Sequence, residues 1–333
     1  MSRRDTADER VSMCLARTPR RGFPAIGAGD AIAGNLAKSM KQTLSHERPE
    51  AIGIGAGGAM KPIRSAGLLL ICLCLLAGCA GRGRDNYALL NDLAPTGSLR
   101  AAINLGNPVL AQKESGTGEL RGVSVDLARE LGRRLGVPVQ FVTYDAAGKV
   151  FDALSSTTGA GAWDVAFLAI DPVRASAIHF TPPYVEIEGG YMVRVDSPLK
   201  KIEDVDREGV RVSVGRGSAY DLHLTRNLKQ ATLVRAPTSP GAIDLFVAER
   251  LDVAAGVKQP LLDYAKAHSG VRVMDGRFMV IEQAMGTPRG RGEQGIRYLR
   301  AFIEEMKAKR FVADAVQRSG QRDVTVAPPW PNW

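Results

Sequence analysis

Beyond residue 98 the chain alternates between short apolar runs and stretches in which apolar residues recur every three or four positions. Residues 99–103, 139–142 and 164–168 read as strands, the last buried on both faces because its apolar run is unbroken. Between the first two, Leu127, Ala128, Leu131 and Leu135 share a helical face, with Ser124 as the cap and Gly136 as the stop. Phe151 and Leu154 place a helix after the second strand. A similar series follows position 195. Residues 210–214, 233–234 and 251–255 read as strands, and 215–218 turn into a helix. Ser239-Pro240 is a cap followed by proline at the first helical position, with Ile243, Phe246 and Val247 facing inward. Helices are expected over 261–267 and near 293–307, the second burying Ile296, Leu299, Ile303 and Met306. Strands alternating with helices define an α/β fold with mainly parallel sheets. A chain of 333 residues suits two lobes of roughly 100–150 residues each.

The pattern upstream is different. Lys61 and Arg64 precede an apolar run over 66–77. That run has about a dozen residues where a bilayer span takes about 20, so it reads as a secretory signal and not a permanent membrane helix. It ends in Leu76-Ala77-Gly78-Cys79, which resembles the lipobox of bacterial lipoproteins. That resemblance implies cleavage before Cys79, a diacylglycerol on its sulfur, a signal over 60–78 and a tether over 79–97. Residues 1–59, rich in Arg, Gly, Ala and Ser without helical or strand period, read as an over-extended start upstream of Met60, or as a disordered tail.

Composition changes the picture in two places. The net charge of +9 is uneven: residues 1–78 hold 11 Lys/Arg against 6 Asp/Glu, so the basic character belongs largely to the leader. The body has no basic cluster interleaved with aromatics, which argues against a nucleic-acid partner. Cys14, Cys72, Cys74 and Cys79 are the whole cysteine set, so the body forms no disulfide or thiolate metal site. His179, His223 and His268 are scattered along it, and neither metal nor cofactor is expected.

Residues 98–316 resemble the extracellular solute-binding proteins of polar-amino-acid uptake systems. Four segments in order carry the resemblance. Gly118-Glu119-Leu120-Arg121-Gly122 leads into the first helix. Residues 164–184 include Arg174 and Phe180-Thr181-Pro182-Pro183-Tyr184. Val214-Gly215-Arg216-Gly217-Ser218 opens a helix, and Glu249-Arg250-Leu251-Asp252-Val253 leads a late strand. The resemblance implies a two-lobed, periplasmic-binding-protein-like fold of type II. Lobe one would hold 98–190 and 286–333, and lobe two would be an insertion over 195–281. Two crossings, near 189–195 and 281–286, would join lobes that close over ligand by hinge motion.

It also implies a site. Arg174 would offer a planar fork to a carboxylate, a contact lysine cannot reproduce; the plain alternative is a surface arginine after the Asp171-Pro172 turn. Ser218, at a helix start, would bring its amide and those after it toward an anion, or serve only as a cap. Ala169 stands where a small hydroxyl residue is usual, Asn107 where an aromatic is usual, and Gly256-Val257 where an acidic residue holds an α-ammonium. Asp171 and Glu186 are the candidates to replace that acid. Lys149, near a helix start, either adds positive charge or is a solvated lysine.

The resemblance implies a monomeric, periplasmic, non-enzymatic binder of an anionic or zwitterionic small molecule, partnered by an ABC transporter permease and touching the membrane only through its lipid. A dehydratase of the cyclohexadienyl-acid type uses the same fold and needs a positioned acid, for which Asp171 and Glu186 are again the candidates. A ligand-sensing domain is the third reading.

Overall fold

The computed structural model describes residues 87–156 and 161–331. The expected extension, the signal and Cys79 lie outside the described residues. A helical stretch over 87–93 (α1) leads into β1 (Leu99–Asn104), and β2 (Gln112–Lys113) and β3 (Leu120–Arg121) form a small ribbon. Then come α2 (Val123–Leu135), β4 (Val139–Tyr144), α3 (Ala147–Ser156), β5 (Val165–Ala169), α4 (Pro172–Ala175) and a 17-residue strand, β6 (Ile178–Arg194). After a 3-10 turn (Ile202–Val205) follow β7 (Arg211–Gly215), α5 (Ala219–Asn227), β8 (Thr232–Ala236), α6 (Ser239–Ala248), β9 (Val253–Val257), α7 (Lys258–Ala267) and β10 (Val271–Val273). The chain ends with β11 (Met279–Pro288), α8 (Glu293–Ala308), α9 (Phe311–Arg318) and β12 (Thr325–Val326).

One path of strands runs β4-β1-β5-β11-β6-β9-β7-β8, with β10 and β12 also paired to β6. The outer strands of each half are parallel: β4, β1 and β5 on one side, β8, β7 and β9 on the other. The antiparallel members, β11 and β6, carry the chain between the halves. From Ile178 to Gly189 β6 pairs with β11, and from Gly189 to Met192 with β9. The expected crossings therefore fall on longer strands than the apolar pattern outlines, the first at the C-terminal end of β6 and the second inside β11. β11 returns between β5 and β6, so strands from both sides of the 195–278 segment share one sheet half. The last helices pack there too: Arg134 of α2 bonds Glu305 of α8 at 2.6 Å, and Arg318 of α9 bonds Asp126 of α2 at 2.9 Å.

The helix starts show where local sequence was overruled. Ser124 does not cap α2; the cap residue is Gly122, and the Ser124 hydroxyl lies inside the first turn, 3.1 Å from the Tyr184 hydroxyl. α6 is capped one residue earlier than expected, by Thr238, whose hydroxyl accepts from Gly241 N at 3.1 Å, so Ser239 is already helical. Phe246 is buried as expected, but Val247 is 51 % exposed, because the face of α6 that meets the sheet carries Ala242 and Phe246. The late strand lies over Val253–Val257, two residues on from its expected place, and α7 begins at Lys258. Ile296, Leu299, Ile303 and Met306 are all buried on α8.

Residues 87–97, expected as the end of a tether, belong to the folded body. Leu93 is fully buried, and both carboxylate oxygens of Asp92 accept backbone N–H groups at the start of α8, from Gly292 at 3.0 Å and Gly295 at 2.9 Å. A carboxylate on the free amides of a helix start also opposes the positive end of its dipole.

Candidate functional site

The site is built where β5 ends. Asp171 accepts from Val173 N at 2.8 Å, and Pro172 opens the short α4 with its φ already helical. This turn sends Arg174 back beneath the strand, where Nη1 donates to the Ala169 carbonyl at 2.9 Å. Arg174 is 1 % exposed and its Nε has no partner. Burial pulls its pKa down to about 10, against the pull of Asp171 upward, so the guanidinium stays charged at neutral pH. Arg174 is thus a buried core arginine, not a surface one.

The opposite half meets it with the loop from β7 into α5. Arg174 Nη2 donates to the Gly217 carbonyl at 2.8 Å. Gly217 has φ +67°, and a Cβ there would lie 2.7 Å from the Gly148 Cα of α3, so the two backbones approach as closely as two glycines allow. Arg226 of α5 pairs with Asp171 at 2.7 Å across the same seam. In this structure the two halves are closed on each other.

Ser218 differs from expectation. Its hydroxyl caps α5 by accepting from Asp221 N at 3.0 Å, and its amide donates to the Gly215 carbonyl at 3.1 Å. Asp221 accepts from Gly217 N at 2.8 Å and from Arg235 Nε at 2.9 Å. The helix start holds its own carboxylate, so the Ser218 amide does not face a ligand; the cap alternative is the one observed. Ala169 contributes its carbonyl, and Asp171 is bound to Val173 N and Arg226.

Two cavities flank this seam. One, of about 490 Å³, is bordered by Lys149, Asp152, Arg174, Arg216 and Gly217. Lys149 pairs with Asp145 at 2.7 Å on the surface, so it reaches the cavity wall already engaged. The other, of about 220 Å³, is bordered by Asn107, Tyr220, Ser239, Ile243, Gly256 and Val257 among others, from both halves. The predicted residues therefore separate: Arg174 and Lys149 border one cavity, Asn107 the other, and Ala169, Asp171 and Ser218 support the walls. Glu186 borders a third space with Glu188, Lys258, Arg277 and Arg322, and neither cavity at the seam. Among the described residues no group of three His, Cys, Asp or Glu side chains is arranged to hold a metal ion. Gly148, Arg216, Tyr220 and Arg226 were not anticipated. Arg226 meets a partner 55 residues away in the other half, and no local pattern in one chain marks such a contact.

Two α/β halves joined by two strands and closed over a buried arginine define a cleft-binding protein. The chain belongs to the bacterial extracellular solute-binding proteins, family 3, whose model matches residues 99–318. Similar solved structures include a cysteine-binding protein from Campylobacter jejuni, at 19 % identity and TM-score 0.61, covering 72 % of this chain and 99 % of that one. An ancestral amino-acid-binding protein, a precursor of cyclohexadienyl dehydratase, matches at 22 % identity and TM-score 0.57, covering 69 % and 98 %. The putative binding component of an ABC transporter from Wolinella succinogenes, complexed with lysine, matches at 19 % identity and TM-score 0.56, covering 67 % and 95 %. At these identities the structures establish the shared two-lobed fold.

Proposed function

We propose that this protein captures a small carboxylate-bearing solute, an amino acid or a related organic acid, and delivers it to the permease of an ABC uptake transporter. The observation that carries this reading is Arg174: a guanidinium 1 % exposed whose hydrogen bonds go to two neutral carbonyls and whose Nε has none. A carboxylate matches such a fork better than a carbonyl does, because both partners are charged and the contact is bidentate. The lobes are 98–190 with 286–333, and 195–281. In the open state Arg174 loses Gly217 and Asp171 loses Arg226. The ligand carboxylate then takes the place of the Gly217 carbonyl on Arg174, and closure shields the pair from water. The neighbours described as binding cysteine or complexed with lysine support an amino acid or its relatives as the ligand class.

Binding occurs in the periplasm, from a monomer held at the membrane by lipid on Cys79. Intact mass of the mature chain checks the anchor; an unlipidated chain retaining residues 1–78 would discard it. Calorimetry against a panel of carboxylic and amino acids tests the capture. Arg174→Ala should cost about 2–5 kcal/mol of binding, a loss of tens to thousands of times, and Arg174→Lys should recover only part. An Arg174→Ala protein that binds its ligand as tightly as the parent rules out the anchor.

A further inference from the structure

Helix α8 buries one face against the core and turns the other outward, and the outward face differs from its surroundings in charge. On the neighbouring α2 and α9, Arg129, Arg133, Arg134 and Arg318 each meet a carboxylate. Arg297 and Arg300 of α8 and Arg289 in the loop before it are exposed. Arg289 donates to the Ala175 carbonyl and Arg297 to the Glu293 carbonyl, and among the described residues none of the three forms an ion pair. Burial lowers the pKa of His179; Arg289 and Arg300 lower it further and Glu293 opposes them, so these side chains stand around one point.

The same face carries an aromatic. Glu304 lies one turn beyond Arg300 and accepts Trp330 N at 3.2 Å. Lys307 donates to the Pro328 carbonyl at 2.8 Å and pairs with Glu304 at 2.6 Å, which fastens the C-terminal segment to α8 and neutralises Glu304. Trp330 is 50 % exposed and lies beyond the residues the family model matches, which end at 318. Unpaired arginines outnumbering the one unpaired glutamate, Glu293, beside a fixed indole suit the interface of an anionic bilayer. Its headgroups attract arginine, and tryptophan settles at headgroup depth. The chain's attachment brings this face close. Asp92 of α1 binds the first turn of α8, and Tyr87 is only eight residues from Cys79, a reach of at most about 29 Å.

We propose that the outward face of α8, with Arg289, Arg297, Arg300 and Trp330, rests on the anionic phospholipid surface to which the chain is anchored. This assignment rests on the proposed lipid at Cys79. It orients the first lobe on the bilayer as well as attaching it.

The test uses the full chain with Trp333→Phe, which leaves Trp330 and the core Trp163 as its indoles. It is reconstituted in vesicles of brominated phosphatidylcholine with or without phosphatidylglycerol. Trp163 is buried and does not respond. Trp330 should be quenched when phosphatidylglycerol is present and should recover at molar salt, where the screening length falls to about 3 Å. Arg297→Gln with Arg300→Gln should lower the ratio of docked to undocked chain about thirtyfold, since each arginine at such a surface contributes about a factor of five. Lys229→Gln with Lys266→Gln removes the same charge from the other half and should leave the ratio unchanged. No quenching with phosphatidylglycerol overturns the proposal and leaves the face to solvent or a protein partner. Equal quenching in neutral vesicles also overturns it, as does an equal loss from both pairs of substitutions, because net charge would then be sufficient. Intact mass separates the anchor from the surface. A lipidated chain without salt-sensitive quenching loses the surface alone. A chain without lipid loses the anchor, and the same quenching read on chain added to the vesicles then decides the surface by itself.

Discussion

Asp164 and Arg174 stand ten residues apart, on either side of β5, and both are buried charges. Their surroundings differ in kind. Asp164, 0 % exposed, receives Arg100 Nη2 at 2.7 Å, Arg291 Nη2 at 2.8 Å and the Arg100 amide at 2.9 Å. It ties the first strand to the loop after β11, and the pairing raises the pKa of Arg100. Arg174 has no carboxylate on its guanidinium: it rests on the carbonyls of Ala169 and Gly217, with Nε unpaired. A charge surrounded by its complement holds a fold together. A charge buried with neutral partners adds little to the fold, and this contrast supports the proposed reading of Arg174 as the ligand's carboxylate anchor.

The largest effect should come from removing the complement. Asp164→Ala leaves two arginines at a closed site without their carboxylate, and breaking a buried pair in this way costs about 3–5 kcal/mol. Arg174→Met fills similar space without the charge and should cost the empty protein about 1–3 kcal/mol, less than Asp164→Ala, because it leaves two neutral carbonyls and no charge without a partner. Chemical denaturation of both variants checks the pair. If Arg174→Met destabilises as much as Asp164→Ala, the distinction between the two sites disappears.

Gly217→Ala should come next. The added Cβ meets the Gly148 Cα at 2.7 Å, and at φ +67° alanine is strained as well. On the proposed hinge motion this contact belongs to the closed state, so the variant should weaken ligand binding by about tenfold or more, roughly 1.4 kcal/mol. Small-angle scattering should show the ligand-free variant more extended than the parent. An unchanged profile with unchanged affinity would mean that the seam of this structure is not the state that binds.

The element order and the α/β class were readable because they rest on local signals, the apolar period and the turn residues. The Asp171-Pro172 turn that aims Arg174 is written in consecutive residues. What was not readable depends on partners far along the chain. Ser124 is a good cap in isolation, yet its hydroxyl lies against Tyr184, 60 residues on. β6 runs to 17 residues because β11, β9, β10 and β12 all pair with it, and no apolar period within β6 reports that. Asp92 looks like part of a polar tether until α8, 200 residues later, presents amides to it. For Ser218 the sequence left two readings, and what decides for the cap is nearer: Asp221 already occupies the same helix start.

The smallest effect tests whether burial, and not proximity of charges alone, separates the two sites. Glu130, Arg134 and Glu305 link α2 to α8 at the surface, with Arg134 bonded to Glu305 at 2.6 Å and to Glu130 at 2.8 Å. Hydrogen bonds from Arg133 and then Arg134 hold the Glu130 pKa down at about 2, and those from Arg134 and Lys309 hold Glu305 at about 2. Both lie below the ordinary carboxylate value, so their contribution is fully present above about pH 4.5 and is lost as pH falls toward 2. Water screens these groups, which places the stabilisation in the small range of exposed ion pairs. Arg134→Met should therefore flatten the decline of stability between pH 5 and 2 slightly and change little at pH 7, while Asp164→Ala remains severe at neutral pH. Should Arg134→Met prove as damaging at pH 7 as Asp164→Ala, close opposite charges would be sufficient without burial, and Arg174 would have to be explained by something other than its enclosure among neutral partners.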